Sequence, residues 1–319
     1  MCNIGVSIIC NAYNHEKYIK DALEGFVMQK TTFPIEVLVH DDASTDNTAN
    51  IIREYEQKYP DIIKPIYQAE NQYSKGNGAI GKIQFARAKG KYIAICEGDD
   101  YWTDPYKLQK QFDIMERHPQ YTMCAHAANV VEANTKKPIK TISPMIEDGI
   151  LSIEDVILHG GGYVVTNSLF YRTELNNSNM EFRKKLVLDY TLQILGAVTG
   201  NGILYLSDNM SVYRWLSDGS FTTRVIRNGR KNIRLMEKII EMLKTLDDET
   251  GHKFYGAIKT RILMYEYNIL IEKEEYRRLF QRKYFHILAK KPRTEIVKVF
   301  IYAYMPFSRK IVHMLKGKR

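Results

Sequence analysis

Two pairs of adjacent carboxylates stand out by where they fall. Asp99 and Asp100 follow closely on the apolar run Lys91–Cys96, and Asp41 and Asp42 close the run Ile35–His40. Neighbouring carboxylates repel each other unless hydrogen-bond donors or a cation compensate, and a hard divalent ion with oxygen ligands does this well. A cation held there would bridge a diphosphate. Taken alone, Asp99 and Asp100 fit equally well a turn that bonds its own backbone. The second pair shifts the reading toward a ligand site, because two acidic pairs at neighbouring strand ends would face one crevice. A carboxylate there can accept the N–H of a pyrimidine or a ribose hydroxyl. Tyr13, at the end of another apolar run, offers a face on which a base could stack, although a half-buried core tyrosine fits that residue too.

The elements that must carry these side chains alternate between short apolar runs and amphipathic stretches, the pattern of a mostly parallel α/β sheet flanked by helices. Val6–Cys10 reads as a buried strand closed by the polar group Asn11 to Asn14. Glu16–Gln29 places Ile19, Leu23, Phe26 and Val27 on one helical face. Ile35–His40 reads as a second strand, and Thr45 or Asp46 then caps a helix carrying Ile51, Ile52 and Tyr55. A third strand is expected at Ile62–Tyr67 and a fourth at Lys91–Cys96, followed by a helix over Lys107–Arg117. Strands that finish in polar clusters at their carboxyl ends define the ligand edge of an open α/β sheet. Further on, Ser152 caps a short helix broken by Gly160, Gly161 and Gly162. Tyr163–Tyr171 reads as a strand and Ile203–Tyr213 as another strand or a hairpin. From about Val225 the chain is mostly helical.

The runs Val6-Ser-Ile-Ile-Cys-Asn-Ala-Tyr-Asn14, Val39-His-Asp-Asp-Ala-Ser-Thr-Asp46 and Gly90-Lys-Tyr-Ile-Ala-Ile-Cys-Glu-Gly-Asp-Asp100 resemble the opening of family 2 glycosyltransferases with the Rossmann-like GT-A fold. The match is close over about residues 4 to 120 and looser to about 220. The resemblance implies that Asn11, Tyr13 and Asp42 surround the nucleobase, usually uracil. It also implies that Asp99 touches the ribose side and that Asp100 binds Mn²⁺ or Mg²⁺ on the diphosphate. Asp189, in Leu186-Val-Leu-Asp-Tyr-Thr-Leu192, is the position most like the family's general base, and a helix cap is the competing reading. The implied reaction is an inverting transfer from a nucleotide-sugar donor, by the resemblance a UDP-sugar, to a glycan or lipid-linked acceptor in surface polysaccharide biosynthesis.

Two departures from the family pattern matter. Many relatives carry a His after the segment matching Val212-Tyr-Arg214, whereas this chain has Trp215, Leu216 and Ser217. The usual Arg-Asn pair before the fourth strand is absent, with Gly81 and Lys82 near that place. Lys82 and Arg214 are the candidate phosphate-binding cations, Arg214 being able to grip a diphosphate bidentately. Trp102, Asp104 and the stretch Gly160–Ser168 are candidates for the acceptor side. None of the histidines is given a catalytic role. A non-catalytic sugar-nucleotide or glycan-binding module on the same fold is the alternative reading.

The charge is divided unevenly. The chain has a formal net charge of +9, yet from Phe221 onward there are 24 Lys and Arg against 10 Asp and Glu. The sequence thus divides into residues 1–222, carrying donor binding and catalysis, and a basic helical region at 223–319. The basic region, ending in Phe307, Arg309, Lys310, Lys316, Lys318 and Arg319, suits an anionic membrane surface. Nucleic acid is not expected, because no recognised binding motif accompanies the charge. Tyr-rich tail helices are compatible with a homodimer. With no uninterrupted apolar run of about 18 residues and no basic leader, a cytoplasmic protein, peripheral on the inner face of the cell membrane, is expected. The four cysteines show no metal or disulfide spacing and read as reduced, mostly buried residues.

Overall fold

In a computed structural model, the structure describes residues 4–76, 78–186, 188–218, 220 and 228–305. It divides into two compact units, Met1–Arg224 and Val225–Arg319.

The first unit is built on one mixed sheet. Its first strands are β1 (Val6–Ala12), β2 (Ile35–Asp41), β3 (Ile66–Tyr67) and β4 (Tyr92–Ile95). The later ones are β5 (Tyr101–Trp102), β6 (Met123–Glu132), β7 (Pro138–Ile142), β8 (Gly149–Leu151), β9 (Phe170–Arg172) and β10 (Ile203–Trp215). The order along the sheet is β3-β2-β1-β4-β9-β6-β10-β5, with β7 on β6 and β8 on β10. The expected parallel arrangement holds for β3, β2, β1 and β4, whereas β9 joins β4 and β6 antiparallel.

β1, β2 and β4 are buried along almost their whole length and are mostly apolar, as strands covered on both faces must be. Helices α1 (Ile19–Val27), α2 (Thr48–Lys58), α3 (Ala79–Arg87) and α4 (Lys107–Arg117) alternate with them. Ile19, Leu23, Phe26, Ile52, Leu108 and Met115 from three of these helices meet Val6, Ile8, Val37, Val39 and Ala94 in one core. Chain order reverses at β1, which has β2 on one side and β4 on the other. That reversal opens a crevice at the carboxyl ends of the strands.

Some elements differ from the sequence reading. The third strand shrinks to Ile66–Tyr67, with Ile63 making only an isolated bridge to Val37. The strand expected over Tyr163–Tyr171 is a 3₁₀ turn at Thr166–Ser168 followed by β9. Ser168 bonds the Val165 carbonyl and closes that turn locally, so its backbone does not extend into a ladder. Before that turn comes α5 (Ile153–His159), with the expected Ser152 cap, and after β9 come the short α6 (Glu181–Lys185) and α7 (Asp189–Gly200). Cys10, Cys96 and Cys124 are free and buried, and Cys2 lies outside the described residues.

The second unit consists of helices Gly229–Glu249, Tyr255–Glu272, Arg282–Ala289 and Arg293–Tyr304 with a 3₁₀ turn at Tyr276–Phe280. Tyr267, Leu270, Leu279, Tyr284, Leu288 and Val299 form a core of its own. No helix among the described residues is long and apolar enough to cross a membrane. The terminal residues Phe307 to Arg319 fall outside the described residues.

Candidate active site

The parallel registers Ala12↔Asp41 and Ile9↔Ile95 bring the ends of β1, β2 and β4 to one edge of the sheet. Backbone bonds lock the loops beyond them to β1, with Asp42 N–H donating to the Ala12 carbonyl and Gly98 N–H to the Asn11 carbonyl, each at 2.9 Å. The two acidic pairs therefore flank the end of one strand. Gly98 is required by this closeness, since a Cβ there would lie 2.8 Å from His15 Nδ1 and 3.1 Å from the Ala12 side chain.

The turn Glu97–Asp100 leaves two of its carboxylates partly open and buries the third. Asp99 and Glu97 keep solvent access. Asn11 donates its amide to Glu97 at 3.3 Å, and the Ser217 hydroxyl donates to Asp99. Asp100 is only 3% exposed. Its oxygens accept from the Arg214 backbone N–H at 2.9 Å and the Asn167 amide at 3.1 Å. Burial raises the Asp100 pKa well above the usual carboxylate range, as does the charge of Asp99. Asp100, the residue expected to hold the cation, turns its oxygens to buried donors and not to solvent.

Asp189 opens α7 as its first helical residue, so it is not the helix cap that the competing reading supposed. Its carboxyl keeps solvent access and accepts from the Thr166 hydroxyl. The protein around it raises its pKa, and Thr166 pulls it partly back. Glu97 reports the proximity of the two sides. Its pKa rises to about 8, first by burial, then by the negative charges of Asp189 and Asp99. Thr166, bonded to Asp189, adjoins Asn167, bonded to Asp100, so one short turn links the acidic turn and Asp189 although they lie some ninety residues apart in the chain.

Tyr13 is 41% exposed beyond β1, leaving its ring available. Lys82 is exposed on α3. The four other expected site residues are engaged within the protein. Arg214 is 1% exposed and cannot reach a diphosphate from its present place. Its guanidinium donates to the Asp99 carbonyl at 2.6 Å and to Asp21, and it lies over the Tyr101 ring at 4.5 Å. Trp102 is 2% exposed and packs in the core against Phe26, its indole N–H donating to the Asn167 carbonyl at 2.9 Å. Asp104 braces the start of α4, accepting from Tyr106 N–H at 2.7 Å and Lys110 at 2.8 Å. Asp42 is buried and accepts from the N–H groups of Gln72 and Tyr73 at 2.7 and 3.0 Å, so it holds that turn instead of offering a free oxygen.

Several residues of the site were not singled out in advance. Gln84 is buried beneath the crevice and donates to the Leu38 carbonyl at 2.8 Å. Ser217, in the stretch that follows Arg214, reaches Asp99 through its hydroxyl. Thr166 and Asn167 link Asp189 and Asp100. A buried amide in a Gly-rich stretch was the available signal for Asn167, but nothing local shows its partners.

Among the described residues no group of three or more His, Cys, Asp or Glu side chains could hold a metal alone. A hard cation that takes one or two carboxylate oxygens and completes its shell from phosphate and water does suit the accessible side of Asp99.

A mixed sheet with its ligand edge at a topological reversal, and accessible carboxylates on both walls of the crevice, defines a nucleotide-type α/β site. The sequence profile described as "Glycosyl transferase family 2" matches residues 7–178. This chain belongs to that family. It is 39% identical over 209 residues to an uncharacterised protein of Mycobacterium tuberculosis, covering 66% of this chain and 58% of the relative. It is 37% identical over 111 residues to the Escherichia coli UDP-Glc:alpha-D-GlcNAc-diphosphoundecaprenol beta-1,3-glucosyltransferase WfaP, covering 35% of this chain and 41% of WfaP. The crystal structure of S. aureus TarS 1–349 in complex with UDP superimposes with a TM-score of 0.58 at 19% identity, covering 92% of this chain and 77% of that one. The fold is therefore GT-A-like. The chain spans little more than half the length of the M. tuberculosis relative.

Proposed function

We propose that this chain is a glycosyltransferase that moves a sugar from a UDP-sugar to a hydroxyl of a glycan or lipid-linked acceptor in surface polysaccharide assembly. The observation that carries the reading is that one short turn bonds both carboxylate sites, Thr166 donating to Asp189 and the adjoining Asn167 to Asp100. Tyr13 and Asn11 lie where a base and ribose would enter, and Asp99 presents an oxygen to the diphosphate side. Lys82 is the candidate cation for the phosphates. TarS with bound UDP and the UDP-Glc specificity in the name of WfaP support a uridine donor.

The acceptor oxygen attacks the anomeric carbon as the bond from that carbon to the diphosphate breaks. The electron pair leaves with the diphosphate, and the acceptor proton passes to Asp189. Displacement from the opposite face inverts the anomeric centre. The raised pKa of Asp189 makes it a stronger base than an ordinary carboxylate. A Mn²⁺ or Mg²⁺ ion at Asp99 would supply charge compensation for the leaving diphosphate.

Residues 1–222 would carry this chemistry, and the basic region at 223–319 would hold the protein to the inner face of the cell membrane. Val297, Phe300 and Tyr304 form an exposed stripe on the last described helix, opposite the buried Val299 and Ala303. Arg277 lies over the Tyr304 ring, and exposed Arg293 and Lys298 flank the stripe. Apolar side chains bordered by cations suit an anionic bilayer. Loss of flotation with anionic vesicles is expected for Phe300→Asp, and unchanged flotation would refute the membrane reading. The stripe could instead seat a second copy, which would appear as a dimer lost in the same variant.

The functional test is a thermal-shift screen of nucleotide sugars with and without Mn²⁺, followed by assay of UDP release. Stabilisation by a UDP-sugar, with turnover lost in Asp189→Asn, is expected. Binding without turnover across a broad acceptor panel would favour a non-catalytic binding module, and absence of both would overturn the proposal.

A further inference from the structure

Asn167 belongs to no strand or helix end that the chemistry above uses, yet it is fully buried where the two walls of the crevice meet. Its amide N–H groups donate to Asp100 at 3.1 Å and to the Val212 carbonyl at 2.9 Å. Its amide oxygen accepts from the Ser211 hydroxyl at 2.7 Å, and its carbonyl accepts from the Trp102 indole at 2.9 Å. One residue therefore ties the loop after β4, β5 and β10 together. The donor side continues outward from it, since the same Asp100 also holds the Arg214 backbone and the Arg214 guanidinium holds the Asp99 carbonyl.

The acceptor side continues from the residue before it. Thr166 donates to Asp189, and Gln193, one helical turn further along α7, donates to the carbonyls of Gly161 and Val164 at 3.2 and 3.3 Å. The turn at Thr166–Ser168 is thus bonded to α7 on one side and to the acidic turn on the other. The buried Asn167 amide has both its nitrogen and its oxygen bonded, so a displacement there leaves a donor or acceptor unmatched in a low dielectric.

We infer that Asn167 is a positioning residue that fixes the spacing between the donor-side carboxylate Asp99 and the acceptor-side carboxylate Asp189, acting through Asp100 and Thr166. The inference rests on the glycosyltransferase reading above. It assigns the stretch once expected to contact acceptor a different task. A shift of about 1 Å between reacting groups lowers turnover by on the order of 100-fold, so small changes here should be large in the kinetics.

Asn167→Asp keeps the shape and turns a donor into an acceptor facing Asp100 and the Val212 carbonyl. Its kcat should fall by on the order of 100-fold while the donor KM rises, because both walls move. Ser211→Ala is the gentler variant if Asn167→Asp does not fold, since it removes a single donor to the Asn167 oxygen. It should show the same paired change at several-fold size. Thr166→Val cuts the link on the acceptor side only. It should lower kcat with donor KM unchanged and move the acidic limb of the kcat profile to higher pH, and Thr166→Ser should restore both. The inference is overturned if folded Ser211→Ala and Asn167→Asp proteins keep kcat and donor KM within about twofold of the parent, whatever their thermal midpoints. Failure of the parent itself to bind or turn over any nucleotide sugar would instead overturn the functional reading on which this rests.

Discussion

The turns after β2 and β4 carry the same Asp-Asp pair at the same edge of one sheet, and the fold uses them differently. After β2 both carboxylates are buried, and Asp42 holds the N–H groups of Gln72 and Tyr73. After β4 one member is sealed and the other open, with Asp100 bonded to Asn167 and Arg214 while Asp99 keeps solvent access. An acidic pair therefore marks a ligand edge without saying which oxygen is free. The partners that each turn supplies decide that, the N–H groups of Gln72 and Tyr73 for Asp42 and those of Asn167 and Arg214 for Asp100.

The sharpest break of this comparison is between Asp99 and Asp100 themselves. Asp99→Asn should reduce turnover by about 10²–10³-fold, the usual effect of removing a group that compensates transition-state charge, with little change in thermal midpoint. Asp100→Ala should act through the fold. It strips acceptors from two buried donors, and a loss of about 3 kcal/mol in denaturant unfolding is expected. A stable Asp100→Ala protein with no turnover, beside an active Asp99→Asn, would reverse the assignment. Asp42→Ala should fall between them, losing about 1–2 kcal/mol of stability and raising the donor KM while kcat is kept. An unchanged donor KM would detach the turn at Gln72 and Tyr73 from the site.

How much of this was legible in the sequence follows the same division between local and non-local causes. The first four strands and their helices could be read directly, because buried parallel strands and amphipathic helices announce themselves in Val6–Cys10, Ile35–His40 and the spacing of Ile19, Leu23 and Phe26. The acidic turns could be placed at one edge for the same reason. What could not be read was burial. Arg214 and Trp102 look like a phosphate clamp and a sugar platform by residue type. The partners that bury them, Asp21 and Tyr101 for one and Phe26 for the other, lie up to 193 residues away in sequence. The strand expected at Tyr163–Tyr171 failed similarly, because the bonds of Asn167 to Asp100, Ser211 and Val212 hold a turn where local propensity favours extension.

Glu97 gives the smallest effect and the finest comparison of the two turns. No counterpart of it stands two residues before Asp41-Asp42, where the chain has Val39 in the core. In the folded protein its pKa is raised to about 8 by burial first and then by Asp189 and Asp99. In the unfolded chain it titrates in the ordinary glutamate range near 4.3. A raised native pKa means the folded state holds the proton more tightly, so this contribution to stability is full at acidic pH and is lost as pH rises through about 8. Without divalent cation, the thermal midpoint should therefore decline between about pH 5 and pH 9, and Glu97→Gln should flatten that decline. A cation bound at Asp99 would offset the neighbouring negative charge, so Mn²⁺ should flatten the parent's profile in the same direction. If Glu97→Gln leaves the slope unchanged, Glu97 is neither withdrawn from water nor held near other negative charge, and the decline belongs to another group.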